Sequence, residues 1–283
     1  MSTPTTWRDQ ELHRLIDTAA TDLAAAWTAL TAAQADLLAV LRRSGGTRGR
    51  AVVLKAALAR FNRSVAAFDV AAVSVADRWA STELAIAYRH GAEAALRSAP
   101  LRSDLPVPVF AWSDGHQAAV RELSAGAYES LVRRINETVR RARVFVRAAS
   151  VATRNPRTVD PGQLARTHPL NAVVYADSSH YPAAAWARTA LVAQAATAAN
   201  TAAVHTAADL GAEWVQVEDG PECGWTGHAD PDRAHGTLRE VGDAAVHVIG
   251  HPGCIRSLIP RPDLTGRTDI DPGQAAGEEE DDA

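Results

Sequence analysis

The chain has 283 residues, 47% hydrophobic but only 5% aromatic, and an apolar fraction dominated by Ala predicts packed helices and not a β-sandwich. A net charge of −4, from 29 basic and 33 acidic residues, excludes a basic nucleic-acid coat. No uncharged apolar run of 18 residues occurs, and MSTPTTWRDQELHR lacks a basic segment followed by an apolar one. Neither a membrane span nor a signal peptide is therefore expected.

From Trp7 to Arg43, Leu12, Ile16, Ala19, Leu23, Trp27, Leu30, Leu37 and Leu41 keep a three-four spacing that predicts one long amphipathic helix. Ser44–Gly49 breaks it. Leu54, Leu58, Phe61, Val65, Phe68, Ala72, Val75 and Trp79 then form a heptad seam, on a helix that can run to Leu96. The short Gly-rich turn predicts an antiparallel hairpin, although the seam also suits an interface with another copy or with a partner. Pro100 to Pro108 reads as an extended connector. A third helix starts at Ser113 as N-cap and carries Val120, Leu123, Ala127, Leu131, Ile135, Val139, Ala142 and Val146 on one face.

After a polar loop from Arg154 to Gly162, Asn171–Ala176 is strand-like, and Ser178-Ser179 caps a fourth helix, Tyr181–Leu210, stopped by Gly211. Trp214–Val217 alternates like a strand, and little periodicity follows Asp219. From Gly266 to the run Glu278–Asp282 the chain is too acidic and too poor in apolar residues to fold. The expected fold is mainly α. An elongated long-helix hairpin or bundle occupies 1–160, a small irregular α+β module 161–265, and a disordered acidic tail 266–283.

The chemistry lies late in the chain. Cys223 and His228 are five residues apart, and His251 and Cys254 three. Two such pairs can close a structural Cys2His2 zinc site, with His235 as the reserve ligand, because thiolate and neutral imidazole both suit zinc. Two other readings stand beside it: a Cys223–Cys254 disulfide, worth roughly 3–4 kcal/mol over its loop, and two buried thiols with histidines bonded to turns. No zinc-deaminase, His-Glu-x-x-His, Gly-x-Ser-x-Gly or phosphate-loop motif occurs, so no catalytic residue is nominated. Cys223 paired with His228 or His235 as a nucleophile is the residual enzymatic option.

On the third helix Arg133, Arg140 and Arg147 are spaced by seven, Arg134 and Arg141 repeat the spacing, and Arg143 joins the ridge. It is either a solvated face balanced by Glu129 and Glu137, or a contact for DNA or an acidic protein surface. No aromatics interleave it, as single-strand binding would need.

Asp219-Gly-Pro-Glu-Cys-Gly-Trp-Thr-x-His-x-Asp-Pro-Asp232, Ala234-x-Gly236, His251-Pro-x-Cys-x-Arg-Ser257 and Pro260-Arg-Pro-Asp263 resemble the C-terminal signature of phage Mu F-like head morphogenesis proteins. The nearest version is the MuF-like minor capsid protein of tailed actinobacteriophages, and Arg188-Thr189 fits the same pattern. The resemblance covers Asn171 to Asp263; the earlier helices are similar only in being long. Many members carry Cys-x-x-Cys and end in Cys-Arg-Cys, whereas this chain has Cys223 alone and ends Cys254-Ile-Arg-Ser257. If the four cysteines bind metal elsewhere in the family, histidines replace two of them here.

The resemblance implies a virion component and not an enzyme. Such a protein is made in the host cytoplasm and packaged in the head interior near the portal, where it assists head assembly or DNA packaging and ejection. Implied partners are the portal protein, other head proteins and, without sequence preference, packaged DNA; no membrane or small-molecule substrate is implied. Some relatives carry a toxin or nuclease domain after the signature. With about twenty residues left beyond Asp263, no such activity is expected. The alternatives are a metal-dependent nuclease or hydrolase using the late His/Cys/Asp cluster, and a non-specific DNA-binding accessory protein using the ridge.

Overall fold

In a computed structural model 67% of the described residues are helical and 9% lie in strands, mainly α as the composition requires. The structure describes residues 10–43, 50–101, 108–154, 159–175 and 178–276. Trp7, the Ser44–Gly49 break, most of the Pro-rich connector, Ala176 and the run Glu278–Asp282 lie outside them.

Helix α1 (Gln10–Arg43) buries every apolar position of its predicted stripe, and α2 (Arg50–Arg78) buries the heptad seam from Leu54 to Val75. Trp27 meets Phe68 edge to face at 4.7 Å, and Asp22 pairs with Arg78 at 3.0 Å, so the two helices are antiparallel. By length and the mean hydropathy of one window, 1.4, α1 is also the one described helix long and apolar enough to cross a membrane. A buried core helix passes the same measure, and the leucine stripe of α1 is used in packing.

The second predicted helix arrives in three pieces: α2, one π-helical turn at Trp79–Glu83, and α3 (Leu84–Ser98). A π turn inserts one residue into the helical ladder and rotates the face that follows. Helix α4 (Asp114–Ser150) begins as expected, with Ser113 Oγ accepting the His116 N–H at 3.3 Å. Phe145, fully buried, takes the place read for Val146.

Contacts divide the chain into two compact units that do not follow chain order. One comprises Met1–Ile16, Ala80–Ala127 and Thr189–Ala283, the other Asp17–Trp79 and Tyr128–Arg188. Residue 160 falls inside the latter, because the long helices contribute to both.

The unit holding Asp17–Trp79 has an aromatic core. Trp27 packs on Phe68 and Trp186, and Phe61 on Phe145 at 5.2 Å. A short helix, α5 (Pro161–Thr167), starts at the end of the expected polar loop and runs through residues given no element from the sequence, its N-cap Asp160 accepting the Gly162 N–H at 2.8 Å. Strands β1 (Ala172–Val174) and β2 (His180–Pro182) pair antiparallel. Ser178, expected to cap a helix, instead turns this hairpin at φ 64°, and α6 (Ala183–Asp209) starts after β2.

In the other unit α3 and α6 touch backbone to backbone. A Cβ on Gly91 would lie 2.1 Å from the Ala199 carbonyl oxygen. Tyr88 Oη meets His116 Nδ1 at 2.8 Å and His116 Nε2 meets Asp209 at 3.0 Å, tying α3, α4 and the end of α6. Gly211, at φ 67°, ends α6 as its sequence predicts. Strands β3 (Trp214–Glu218), β4 (Leu238–Glu240) and β5 (Ser257–Pro260) form an antiparallel sheet in the order β4-β3-β5, and α7 (Val241–Val246) follows β4 directly. Val215, Val217 and Leu258 pack on Ala95, Ala203 and Ala207, while Trp214 joins Leu238, Leu264 and Ile270 in a second cluster.

The expectation of an unfolded tail from Gly266 fails for residues 266–276. Ile270 is buried, Leu238 N–H donates to Gln274 O at 2.9 Å, and Ala276 N–H donates to Gly236 O at 2.7 Å. The polar segment folds because it satisfies the open backbone beside β4 and adds one apolar anchor.

Candidate metal centre

Strand β3 delivers Asp219, and the chain then doubles back. Trp225 N–H donates to Asp232 O at 2.7 Å and Ala234 N–H to Cys223 O at 3.1 Å, which turns Cys223 and Trp225 inward. Gly224 has no room for a side chain: a Cβ would sit 2.4 Å from Gly227 O and 2.5 Å from Asp230 Cβ. Asp230 closes the bend by accepting from the Thr226 hydroxyl, the Thr226 N–H and the Asp232 N–H. Those bonds, the hydroxyl first, pull its carboxyl down to about 2.

Beneath this loop lies an ion pair whose side chains are both 0% exposed, with Arg256 Nε 2.9 Å from Asp219 Oδ2. The guanidinium also donates to Trp225 O at 3.0 Å, His247 O at 2.6 Å and Gly224 O at 3.0 Å, and lies over the Trp225 ring at 4.5 Å. Asn200 of α6 donates to Val248 O and Arg256 O at 2.8 and 2.9 Å. A buried charge pair is tolerable only when its remaining donors are satisfied in this way. One arginine thereby fastens three loop segments, and the fastening positions the Cys/His group.

Cys223, His228 and His251 present ligand atoms that all lie within 4.8 Å of one another, and together they could hold a metal ion. Cys223 Sγ is 3.4 Å from His251 Nε2. A tetrahedral zinc with ordinary Zn–S and Zn–N bonds spans an S–N edge of about 3.6 Å, so the pair already has ligand spacing. His251 Nδ1 is 3.1 Å from Pro252 O, a contact in which Nδ1 must donate, leaving the Nε2 lone pair towards the sulfur. The His228 and His251 rings stack at 3.8 Å. Burial, then the charge of Asp219, pushes the Cys223 thiol up, so an incoming metal has a proton to displace.

The other two candidates stand elsewhere. Cys254 donates from its S–H to Asp219, 3.4 Å from each carboxylate oxygen, and lies outside the group of three. His235 Nδ1 accepts the Asp219 N–H at 3.1 Å and serves the turn. Both cysteines are free thiols, so the disulfide reading does not hold. Sequence reasoning passed over Asp219, Arg256 and Asn200 as one network. The available signal was an acid directly after one strand, Asp219 following Trp214–Glu218, and an arginine directly before another, Arg256 preceding Ser257–Pro260.

The arginine ridge separates into two sets. Arg134 donates to Val174 O at 3.4 Å and covers the Tyr175 ring at 4.2 Å, while Arg141 donates to Pro169 O and Ala172 O. These two are structural. Arg133 pairs with Glu129 and Arg140 with Glu137, each at 2.8 Å along the helix. Arg140, Arg143 and Arg147 line an open hollow of about 400 Å³ with Asp69 and Asn136. Compared with protein-family models, curated proteins and solved structures, the chain gives no match.

Proposed function

We propose that the chain is a minor head protein of a tailed phage, similar to the Mu F-like head morphogenesis proteins. In this reading it associates with the portal vertex inside the head, assists assembly or DNA packaging and ejection, and is made in the host cytoplasm. A structural zinc at Cys223, His228 and His251 holds its late loops. The observation that supports the reading is the use made of the signature residues. Asp219, Gly224, Trp225, Asp230 and Arg256 spend their side chains, or the lack of one, on closing the loops, as a scaffold does. Portal and other head proteins are the proposed partners and, with Arg140 paired to Glu137, Arg143 and Arg147 are the arginines proposed for non-specific contact with packaged DNA.

The test is composition of the particle. The protein should copurify with virions at a few copies per head and be absent from heads lacking the portal. Its absence from both virions and procapsids would overturn the assignment. Zinc should copurify at about one per chain under reducing conditions. One observation favours the hydrolase alternative, the convergence of three ligands and not four. Metal-dependent cleavage of a phosphodiester by the loaded protein, lost in Cys223→Ser, would prefer it.

A further inference from the structure

We infer that the metal centre is a three-point clasp, Cys223, His228 and His251, whose fourth corner takes an exchangeable small donor, and that Cys254 is not a ligand. The inference rests on reading the group as a metal site and adds the openness of its fourth corner and the exclusion of Cys254.

Three observations carry it. The three ligand atoms converge already, and no fourth His, Cys, Asp or Glu among the described residues joins them. Cys254 is committed to another partner. The residue is 1% exposed, and its sulfur sits 3.4 Å from both oxygens of Asp219, which Arg256 and the Gly220 N–H hold in place. Turning that thiol to the metal would take a donor from a carboxylate that water cannot reach. Finally, the group is lopsided in exposure: Cys223 is buried, His251 half-buried and His228 exposed. Solvent therefore reaches the metal from the histidine side.

Zinc held by three protein groups completes its tetrahedron from solution, whereas four protein ligands close it. Water would fill the corner in dilute buffer, and a stronger neutral donor such as imidazole would displace it. The orienting bond from His251 Nδ1–H to Pro252 O keeps Nε2 aimed at the metal whether or not the corner is occupied.

The experiment loads the full reduced chain with Co²⁺ alone and reads its visible and near-ultraviolet absorption, with circular dichroism to show that each variant is folded. The expected result is about one cobalt per chain, the ligand-field bands of a four-coordinate ion, and a thiolate-to-cobalt band. Imidazole should move the ligand-field bands saturably. Cys254→Ser should leave stoichiometry and the thiolate band unchanged, whereas Cys223→Ser should abolish that band. His228→Ala, at an exposed position that folding does not need, should weaken binding at least about tenfold. A thiolate band that halves in Cys254→Ser, or ligand-field bands that imidazole cannot move, would overturn the three-point clasp and leave the metal site standing. A folded wild-type chain that binds no cobalt would overturn both.

Discussion

The chain contains two cores of opposite construction. In the unit built from Asp17–Trp79 and Tyr128–Arg188, buried aromatics pack ring against ring, Trp27 on Phe68 and Phe61 on Phe145. Around β3–β5 the cluster packed on the helices is Ala, Val and Leu with one ring, Trp225, and the loops are held by Arg256 and Asp219. The difference lies in how each core fails. An apolar core loses stability in proportion to the atoms removed, because each contact is small. A core closed by one satisfied charge pair loses nearly everything when either partner goes, since the other charge stays buried without a counterion.

The sharpest way to break the comparison is therefore Asp219→Ala, which should cost about 3–5 kcal/mol in urea denaturation. Adding Arg256→Met to it should recover part of that loss, because the orphaned charge is gone. A single-variant loss below about 1 kcal/mol would show that the loops are closed by something else. Next in size is metal removal. With free zinc at about 100 times its Kd, chelation should lower stability by about 2.7 kcal/mol, read as a fall in Tm under reducing conditions. An unchanged melting curve in chelator would remove the zinc from the account.

Gly91→Ala tests how closely the helices of the sheet-bearing unit are packed. Its Cβ would strike the Ala199 backbone, so overpacking of up to about 3 kcal/mol should outweigh the roughly 1 kcal/mol gained in helix propensity. A stabilised variant would contradict the close approach. On α4 the two sets of arginines should separate in the same assay. Arg141→Ala, which abandons two carbonyls, should cost about 1.5–3 kcal/mol, and Arg147→Ala should leave stability unchanged while weakening low-salt binding to DNA of any sequence. Equal effects of the two would return the ridge to one uniform face.

The smallest effect is set by pH. The Asp230 carboxyl is held at about 2, below the ordinary value near 4 of an unfolded chain. Its contribution is complete above pH ~4 and disappears as pH falls towards 2, because the unfolded state then binds the proton first. Carboxyl resonances should show this low midpoint, and Asp230→Asn should remove that part of the acid sensitivity. A midpoint near 4 would mean that Thr226 and Asp232 do not hold the carboxylate in solution.

What could be read in advance was whatever repeats along the chain. Leu54 to Trp79 displays its buried face in the sequence because a helix brings residues three and four apart together, and the same rule found α1 and α4, while the end of α6 was marked by Gly211. Elements of three to seven residues, α5, β4, α7 and β5, are too short to show a period, and their identity comes from the partners they pair with. Cysteine and histidine spacing located Cys223, His228 and His251, since short separations within loops limit where ligands can point. Which way Cys254 turns depends on Asp219, 35 residues away, and Arg134 and Arg141 are claimed by carbonyls 28 to 40 residues off. Local periodicity and spacing are properties of neighbours in sequence, and they nominated the helices and the ligands. The choice among partners for a buried thiol or guanidinium belongs to tertiary structure, because only there does the unmet hydrogen bond of a distant group decide it.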